Sequence, residues 1–259
     1  MDFRGFITKE NENGIVIEAV MPPELENDFF ARIYARGPLN DAADGDAGIV
    51  WDSLKMQYGG RPLIAPSQVH GIDIVEPSGS DVLPNRPKAD GIYVTGETLP
   101  LASLRFADCT PVIIAGVCEE PWLMIIHSGF KGTLQNFAGA AIDYARKKHQ
   151  DQKPGNIFAW IGPAIGRECD SRKNDDPTTA LALKNFAPQN VSAGDDLSFF
   201  DLKGEIAYRL SESGVERDKI FVYDCCTHCR NDLFYSYRAG DDKKRIFLLA
   251  GSAKKSHIL

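Results

Sequence analysis

The stretch Leu99–Thr133, LPLASLRFADCTPVIIAGVCEEPWLMIIHSGFKGT, decides the fold class. It holds three apolar runs, LASLRF, PVIIAGV and WLMIIH, each bounded by Gly, Pro or charge, which is the pattern of buried β-strands. The first run ends in Ala107-Asp108-Cys109, and the third runs into Ser128-Gly129-Phe130-Lys131-Gly132-Thr133. A cysteine, Cys109, and a histidine, His127, therefore stand at strand ends, where polar side chains can converge beside a packed core.

Working outward, LQNFAGAAIDYARKKHQ spaces Leu134, Phe137, Ala138, Ala141, Ile142 and Ala145 at helical intervals. Thr133 is the expected N-cap, and Arg146-Lys147-Lys148 suits the helix C-terminus. Upstream, ADGIYVT reads as a strand, and PLIAPSQVHGIDIVEP as two strands around Gln68-Val69-His70-Gly71. FRGFIT and IVIEAV flank an Asn-Glu-Asn-Gly turn and predict a hairpin. Residues 25–36 fit helix or strand equally, 37–48 read as a mobile loop, and IVWDSLKMQYGG reads as a short amphipathic helix closed by glycines. Downstream come a buried strand, NIFAWIGPAIG, and a charged connection over 166–180. Two helices, ALALKNF and DLKGEIAYRLSESG, precede a strand, KIFVYD, and a final hairpin over 232–252. Strands and helices intermingle without strict βαβ alternation, so the expected fold is mixed α+β, in one domain over residues 1–259.

The chain has 259 residues, 43% of them hydrophobic, enough for a sizeable core. A net charge of -7 argues against a nucleic-acid or anionic-membrane partner but leaves room for a local cationic pocket. The opening residues MDFRGFITKE lack the apolar core of a signal peptide, and no run reaches the ~18 apolar residues of a membrane span, so a cytoplasmic protein is expected. Six cysteines in such a chain read as reduced thiols rather than a disulfide scaffold.

Three of the polar residues at strand ends, His70, Cys109 and His127, could bind one ion. Their wide separation does not fit a zinc-finger knuckle; it fits three strands that each deliver one ligand. Two imidazoles and a thiolate match zinc with a fourth position open, as in catalytic sites. From spacing alone, a buried cysteine with two hydrogen-bonded histidines is the simpler reading. After His127, a Gly-flanked turn into a helix offers free amides, with Gly129 and Gly132 permitting close approach and Lys131 adding charge. That suits phosphate or carboxylate, though an ordinary strand-to-helix turn has the same look. Cys226-x-x-Cys229 follows a strand, as in thiol–disulfide enzymes. The adjacent Cys225 and Cys226 would point apart, so Cys225, Cys226, His228 and Cys229 cannot easily share one ion. Asp90 reads as a turn residue supporting the site, Tyr237 and Arg238 as structural hairpin positions, and His149 and His257 as solvated. Cys118 and Cys169 receive no role.

The motifs Gln68-Val69-His70-Gly71, Ala89-Asp90-Gly91, Ala107-Asp108-Cys109-Thr110-Pro111, His127-Ser128-Gly129-Phe130-Lys131-Gly132-Thr133 and Gly162-Pro163-Ala164-Ile165-Gly166 occur in this order in one family. Together with Cys226-Thr227 and Phe234-Tyr235-Ser236-Tyr237-Arg238 they resemble the laccase-domain, or multicopper polyphenol oxidase, family over about residues 60 to 250. The resemblance implies a layered α-β-β-α fold, distantly like a deamidating bacterial toxin of the cysteine-hydrolase type, with a diverged N-terminal quarter. It implies zinc at His70, Cys109 and His127, and phosphorolysis of adenosine, inosine or methylthioadenosine, with adenosine deamination as a further activity. The partners implied are a small-molecule nucleoside and phosphate, in a monomer or homodimer. On that reading Cys109, His127 and Asp108 are catalytic, while Gln68, Gly129, Phe130, Lys131 and Gly132 hold substrate. Cys226 takes a buried structural role.

Two rival readings accompany it: a copper-dependent phenol oxidase, with Cu2+ at the same ligands, and a diverged metal-binding relative without turnover. A multicopper oxidase needs about ten histidines, many in H-x-H pairs; this chain has five and no such pair. The chain also departs from the family pattern. His-Ser-Gly-Phe-Lys-Gly replaces His-Ala-Gly-Trp-Arg-Gly, so Lys131 keeps a charge without the two-pronged geometry of Arg. Asp170-Ser171-Arg172 stands where an aromatic-Glu-Val segment is usual, and an Asn expected before the Gln-x-His motif is Asp52 or missing.

Overall fold

A computed structural model describes residues 3–254 of the chain. Its strands are, in order, β1 (Phe6–Asn11), β2 (Gly14–Ala19), β3 (Phe29–Tyr34), β4 (Leu63–Ile64), β5 (Ile74–Val75), β6 (Gly91–Thr95), β7 (Leu101–Phe106) and β8 (Thr110–Gly116). There follow β9 (Trp122–Ser128), β10 (Ile157–Ile161), β11 (Ser171–Lys173), β12 (Val191–Ala193), β13 (Leu197–Phe200), β14 (Ile220–Val222) and β15 (Ile246–Ser252). The α-helices are α1 (Pro38–Ala43), α2 (Ala47–Leu54), α3 (Phe130–Leu134), α4 (Phe137–Lys148), α5 (Pro177–Asn185) and α6 (Leu202–Glu212).

Two six-stranded sheets, β1-β2-β3-β15-β7-β4 and β14-β10-β8-β9-β6-β5, pack face to face, and a small sheet β11-β13-β12 sits apart. The sequence periodicity explains the layering. Along β9, Leu123 and Ile125 face the inter-sheet core, where they meet Leu104, Phe106 and Leu248 of the first sheet. The alternate residues Met124 and Ile126 face the opposite way and pack under α4 and α6, against Phe137, Ile142, Ile206 and Leu210. The first sheet is covered in the same manner by α1 and α2, through Leu39, Val50, Trp51 and Leu54. Strands buried on both faces read as continuous apolar runs instead of alternating ones. Each fully buried Ile or Leu side chain contributes about 1.5–3 kcal/mol. The result is the expected mixed α+β fold in α-β-β-α layers. Among the described residues no helix is long and apolar enough to cross a membrane.

The register places the site. Pro111 lies opposite His127 and Thr110 opposite Ser128, while Gly91 lies opposite Ile126. The start of β8, the end of β9 and the start of β6 thus share one edge of the second sheet. Cys109, His127 and Asp90 are neighbours there, although 37 residues separate Asp90 from His127.

Several local expectations are corrected. Residues 25–36 resolve to strand β3, which pairs with β15 and β2. Residues 37–48 contain α1 and the start of α2, with Pro38 at the helix start and Asp46 capping the amides of Gly48 and Ile49. The helix expected at Thr133 starts later: the amide of Thr133 is already used by Gly129 O inside one-turn α3. Asn136, in a left-handed conformation (φ 55°), caps α4 by accepting from Gly139 N. No hairpin forms over 232–252. The Asp241 carboxylate gathers Arg36, Asn231 and the amide of Ser236 into a turn cluster, which frees β15 to pair with β3 and β7. His149 is buried and bonded to the Tyr93 hydroxyl, not solvated; His257 lies outside the described residues.

Candidate metal centre and its cavity

Asp90 is the residue around which the site is built. It is fully buried, and its two oxygens accept four hydrogen bonds. Oδ2 takes the amides of Val69 (3.0 Å) and Gly71 (2.8 Å). Oδ1 takes the amide of His70 (3.0 Å) and Nδ1 of His127 (2.8 Å). One carboxylate therefore fixes both the loop carrying His70 and the ring of His127. Burial, which alone would raise Asp90, is outweighed by His127 and the amides of Gly71 and Val69, which hold it below the usual carboxylate range. Because a carboxylate only accepts, His127 carries its proton on Nδ1 and leaves Nε2 as the free lone pair. Burial lowers the His127 imidazole pKa despite Asp90, keeping the ring in the neutral form a metal needs.

The ligand atoms of His70, Cys109 and His127 all lie within 4.8 Å of one another. The two imidazoles meet edge to face, centroids 5.0 Å apart. His70 (φ 59°) and Asp108 (φ 75°) are both left-handed, a conformation costing a non-glycine residue roughly 1–2 kcal/mol. The strain sits at the two turns that deliver His70 and Cys109. Gly129 is needed for a different reason: a Cβ there would come 2.6 Å from Cys109 Sγ, so the sulfur occupies the space a side chain would take. Burial, reinforced by the carboxylates of Asp108 and Asp170, pushes the Cys109 thiol up to about 12. Two imidazole nitrogens and one sulfur at these separations fit a tetrahedral zinc-type centre with one open position.

The centre opens into a cavity of about 620 Å³, in the range of small-molecule sites. Of the expected substrate residues, Gln68 and Phe130 line it. Lys131 is exposed and outside the lining, and Gly132 packs by ordinary contact near His127 O. The cations of the cavity come from elsewhere: Arg105, Arg172, Arg238, Lys243 and Arg245. Sequence reasoning placed Arg238 and Tyr237 in a structural hairpin, yet both line the cavity wall. Only the clustering of Lys and Arg over 238–245 hinted at this.

The amide of Gln68 is spent on the backbone, donating to Arg105 O (2.8 Å) and accepting from Arg105 N (2.9 Å). Asp108 accepts from Thr227 Oγ1 (2.7 Å) and from Arg238 N (2.8 Å), so both its oxygens are engaged. Asp170 is buried beside Arg172 and Arg238, at 3.2 and 3.4 Å. Burial outweighs both cations and raises it above the usual range, and its Oδ2 has no partner among the described residues. Arg172 also lies 3.6 Å over the Phe130 ring. Arg105 and Arg245 differ from these. Among the described residues their side chains bond to backbone carbonyls only, Gly45 for Arg105 and Asp241, Asp242 and Lys244 for Arg245. Burial and the charges of Arg86 and Arg245 lower Arg105 to about 10, with the Asp46 carboxylate pulling weakly the other way.

Comparison with known proteins identifies the family. Residues 49–248 match the family model described as multi-copper polyphenol oxidoreductase laccase, and the chain belongs to that family. It is 32% identical to the purine nucleoside phosphorylase YlmD of Geobacillus stearothermophilus over 182 residues, which are 66% of this chain and 65% of that one. It is 27% identical to the purine nucleoside phosphorylase YfiH of Escherichia coli over 171 residues, 66% of each chain. The matched part therefore spans just under two thirds of these relatives. The crystal structure of the G. stearothermophilus YlmD superposes with a TM-score of 0.77 at 22% identity, covering 96% of this chain and 99% of that chain. A Neisseria meningitidis protein, NMB0706, gives 0.73 at 18% identity over the same shares. At these identities the two structures establish the fold.

Proposed function

We propose that this member of the family is a zinc-site enzyme that cleaves purine nucleosides with inorganic phosphate. The observation that carries the reading is the pairing, in one cavity, of a His-Cys-His centre with two guanidiniums, Arg105 and Arg245, that form no ion pair among the described residues. The relatives named purine nucleoside phosphorylases support the substrate class.

His70, Cys109 and His127 would hold the ion, which supplies Lewis-acid polarisation of an oxygen at the open position. Arg105 and Arg245 would bind phosphate and orient it towards C1′ of the sugar. A phosphate oxygen then bonds to C1′ as the bond from C1′ to the base nitrogen breaks, and the proton of the hydrogen phosphate ends on that nitrogen, leaving the pentose 1-phosphate and the free base. Asp170, buried in the cavity wall beside Arg172 and Arg238, would orient those two guanidiniums. Tyr237, which is 63% exposed, presents an aromatic face that suits a purine. Asp108 is a positioning residue in this reading, because both oxygens already hold neighbouring loops. Lys131 has no part in it.

The test is chromatographic: zinc-loaded protein with adenosine, inosine or methylthioadenosine, with and without phosphate. Free base should appear only with phosphate and should be lost in Cys109→Ala together with the bound zinc. Base release undiminished in metal-free Cys109→Ala overturns the proposal. Oxygen uptake with a phenol by copper-loaded protein, without base release, would replace it by the oxidase reading.

A further inference from the structure

The second concentration of soft ligands lies outside the cavity, where Cys169, left without a role by its sequence position, meets the Cys226-x-x-Cys229 segment. The Cys169 and Cys229 sulfurs are 3.5 Å apart. Ligand atoms of Cys169, His228 and Cys229 all lie within 4.8 Å of one another. The Cys226 thiol interacts with both Cys169 and Cys229. We propose that Cys169, Cys226, His228 and Cys229 form a second, structural zinc site, distinct from the His70-Cys109-His127 centre.

Three features carry this. First, tetrahedral zinc with Zn–S of about 2.3 Å sets its sulfurs about 3.8 Å apart, close to the spacing found. Second, Cys226 Sγ accepts two amides, from Gly166 (3.1 Å) and, across the C-x-x-C turn, from Cys229 (3.4 Å). Amide donors aimed at sulfur stabilise a thiolate and hold it in place as a ligand. Third, three sulfurs are gathered, and a disulfide between any two would strand the third. Cys225 takes no part: it is buried and its amide bonds to Tyr223 O. Cys229 is exposed and the other three partly so, which gives an ion access.

The placement assigns the site a purpose. Cys169 precedes Asp170 of the cavity wall. Cys226 precedes Thr227, whose hydroxyl holds Asp108 and whose amide bonds to Ala164 O. An ion here would clamp the 167–173 segment to the 226–229 turn, bracing the wall that carries Asp170 and Arg172. Loading displaces the thiol protons to solvent and leaves no redox change. The inference stands independently of the reaction in the cavity.

Elemental analysis of the full chain purified under reducing conditions tests it. The expected content is about two zinc ions per chain. It should fall to about one in Cys109→Ala, to about one in Cys169→Ser/Cys229→Ser, and to none when the three substitutions are combined. Should the double variant fail to fold, cobalt loading of Cys109→Ala decides the matter. A thiolate-to-cobalt charge-transfer band must persist there, since the thiolate of the first centre is gone. Loss of all zinc from Cys109→Ala, or no such band there, overturns the proposal. So does a Cys169–Cys229 disulfide found in reduced, zinc-exposed protein.

Discussion

Replacing Asp90 by Asn should cost both stability and metal affinity, and the geometry sets the amounts. The carboxylate accepts two hydrogen bonds on each oxygen: Val69 and Gly71 amides on Oδ2, the His70 amide and His127 Nδ1 on Oδ1. An asparagine has one acceptor oxygen, so in either flip its NH2 faces two N–H donors. If the oxygen keeps His70 and His127, the Val69 and Gly71 amides are stranded; if it keeps those, His127 loses its partner. Two buried hydrogen bonds to a charged group at about 1.5–3 kcal/mol each give a loss of about 3–6 kcal/mol. That is a large share of the roughly 5–15 kcal/mol by which domains are stable. A histidine ligand deprived of its carboxylate typically costs about 10–100-fold in metal affinity. Urea unfolding would read the first quantity, and zinc competition against a chromophoric chelator the second. An Asp90→Asn protein with the parental urea midpoint and zinc affinity within about threefold of the parent would refute the assignment of Asp90 as the hub.

Gly129→Ala brings a Cβ to 2.6 Å from Cys109 Sγ, so the sulfur must move. The expected result is a folded protein, destabilised by about 1–3 kcal/mol, that has lost most of its zinc on elemental analysis. Arg245→Ala should raise KM for phosphate about tenfold, equivalent to one charge-assisted hydrogen bond of about 1.4 kcal/mol, with kcat little changed. Lys131→Ala, at an exposed position off the cavity, should leave KM for phosphate within about twofold; steady-state kinetics on both variants separates the two cation assignments. Asp108→Gly and Asp108→Ala lose the same contacts to Thr227 and Arg238, but only glycine relieves φ 75°. The alanine variant should therefore be the less stable of the two by about 1–2 kcal/mol, and equal urea midpoints would show that Asp108 is unstrained.

What the sequence disclosed follows from which interactions are local. The runs that became β8, β9 and β10 are apolar on both faces along most of their length and are buried as such, so they could be read directly. Cys109 and His127 were legible because they stand beside the start of β8 and near the end of β9, whereas His70 sits in the loop between β4 and β5, not at the strand end expected, and was legible only through the Gln68-Val69-His70-Gly71 motif. The role of Asp90 was only half legible: Ala89-Asp90-Gly91 reads as a turn, while its grip on His127 exists only once Gly91 pairs with Ile126. The cation assignment failed for the same reason. Lys131 is near His127 in sequence, but Arg105 and Arg245 reach the cavity from β7 and from the turn before β15, paired strands with Phe106 opposite Ile246. Thr133 as N-cap failed locally, because a left-handed Asn136 three residues on offered its own side chain to the same job. Cys169 carried no signal at all, since its partners lie 60 residues away.

The family's label and the chemistry of this site point in different directions, and the surrounding residues decide between them. A donor set of two imidazoles and one thiolate is common to zinc enzymes and to type 1 copper. Type 1 copper adds a weak axial ligand, usually methionine or a glutamine oxygen. Among the described residues no methionine lines the cavity, and the one glutamine that does, Gln68, spends its amide on Arg105. A multicopper cluster needs about ten histidines; the chain has five, of which His149 is held by Tyr93 and His228 lies among the sulfurs of the second cluster. Electron transfer also gains nothing from a cavity of about 620 Å³ lined by Arg105 and Arg245, which form no ion pair among the described residues. An anionic co-substrate neutralises them. The outer residues thus favour zinc and phosphate at a donor set that, taken alone, would serve either metal.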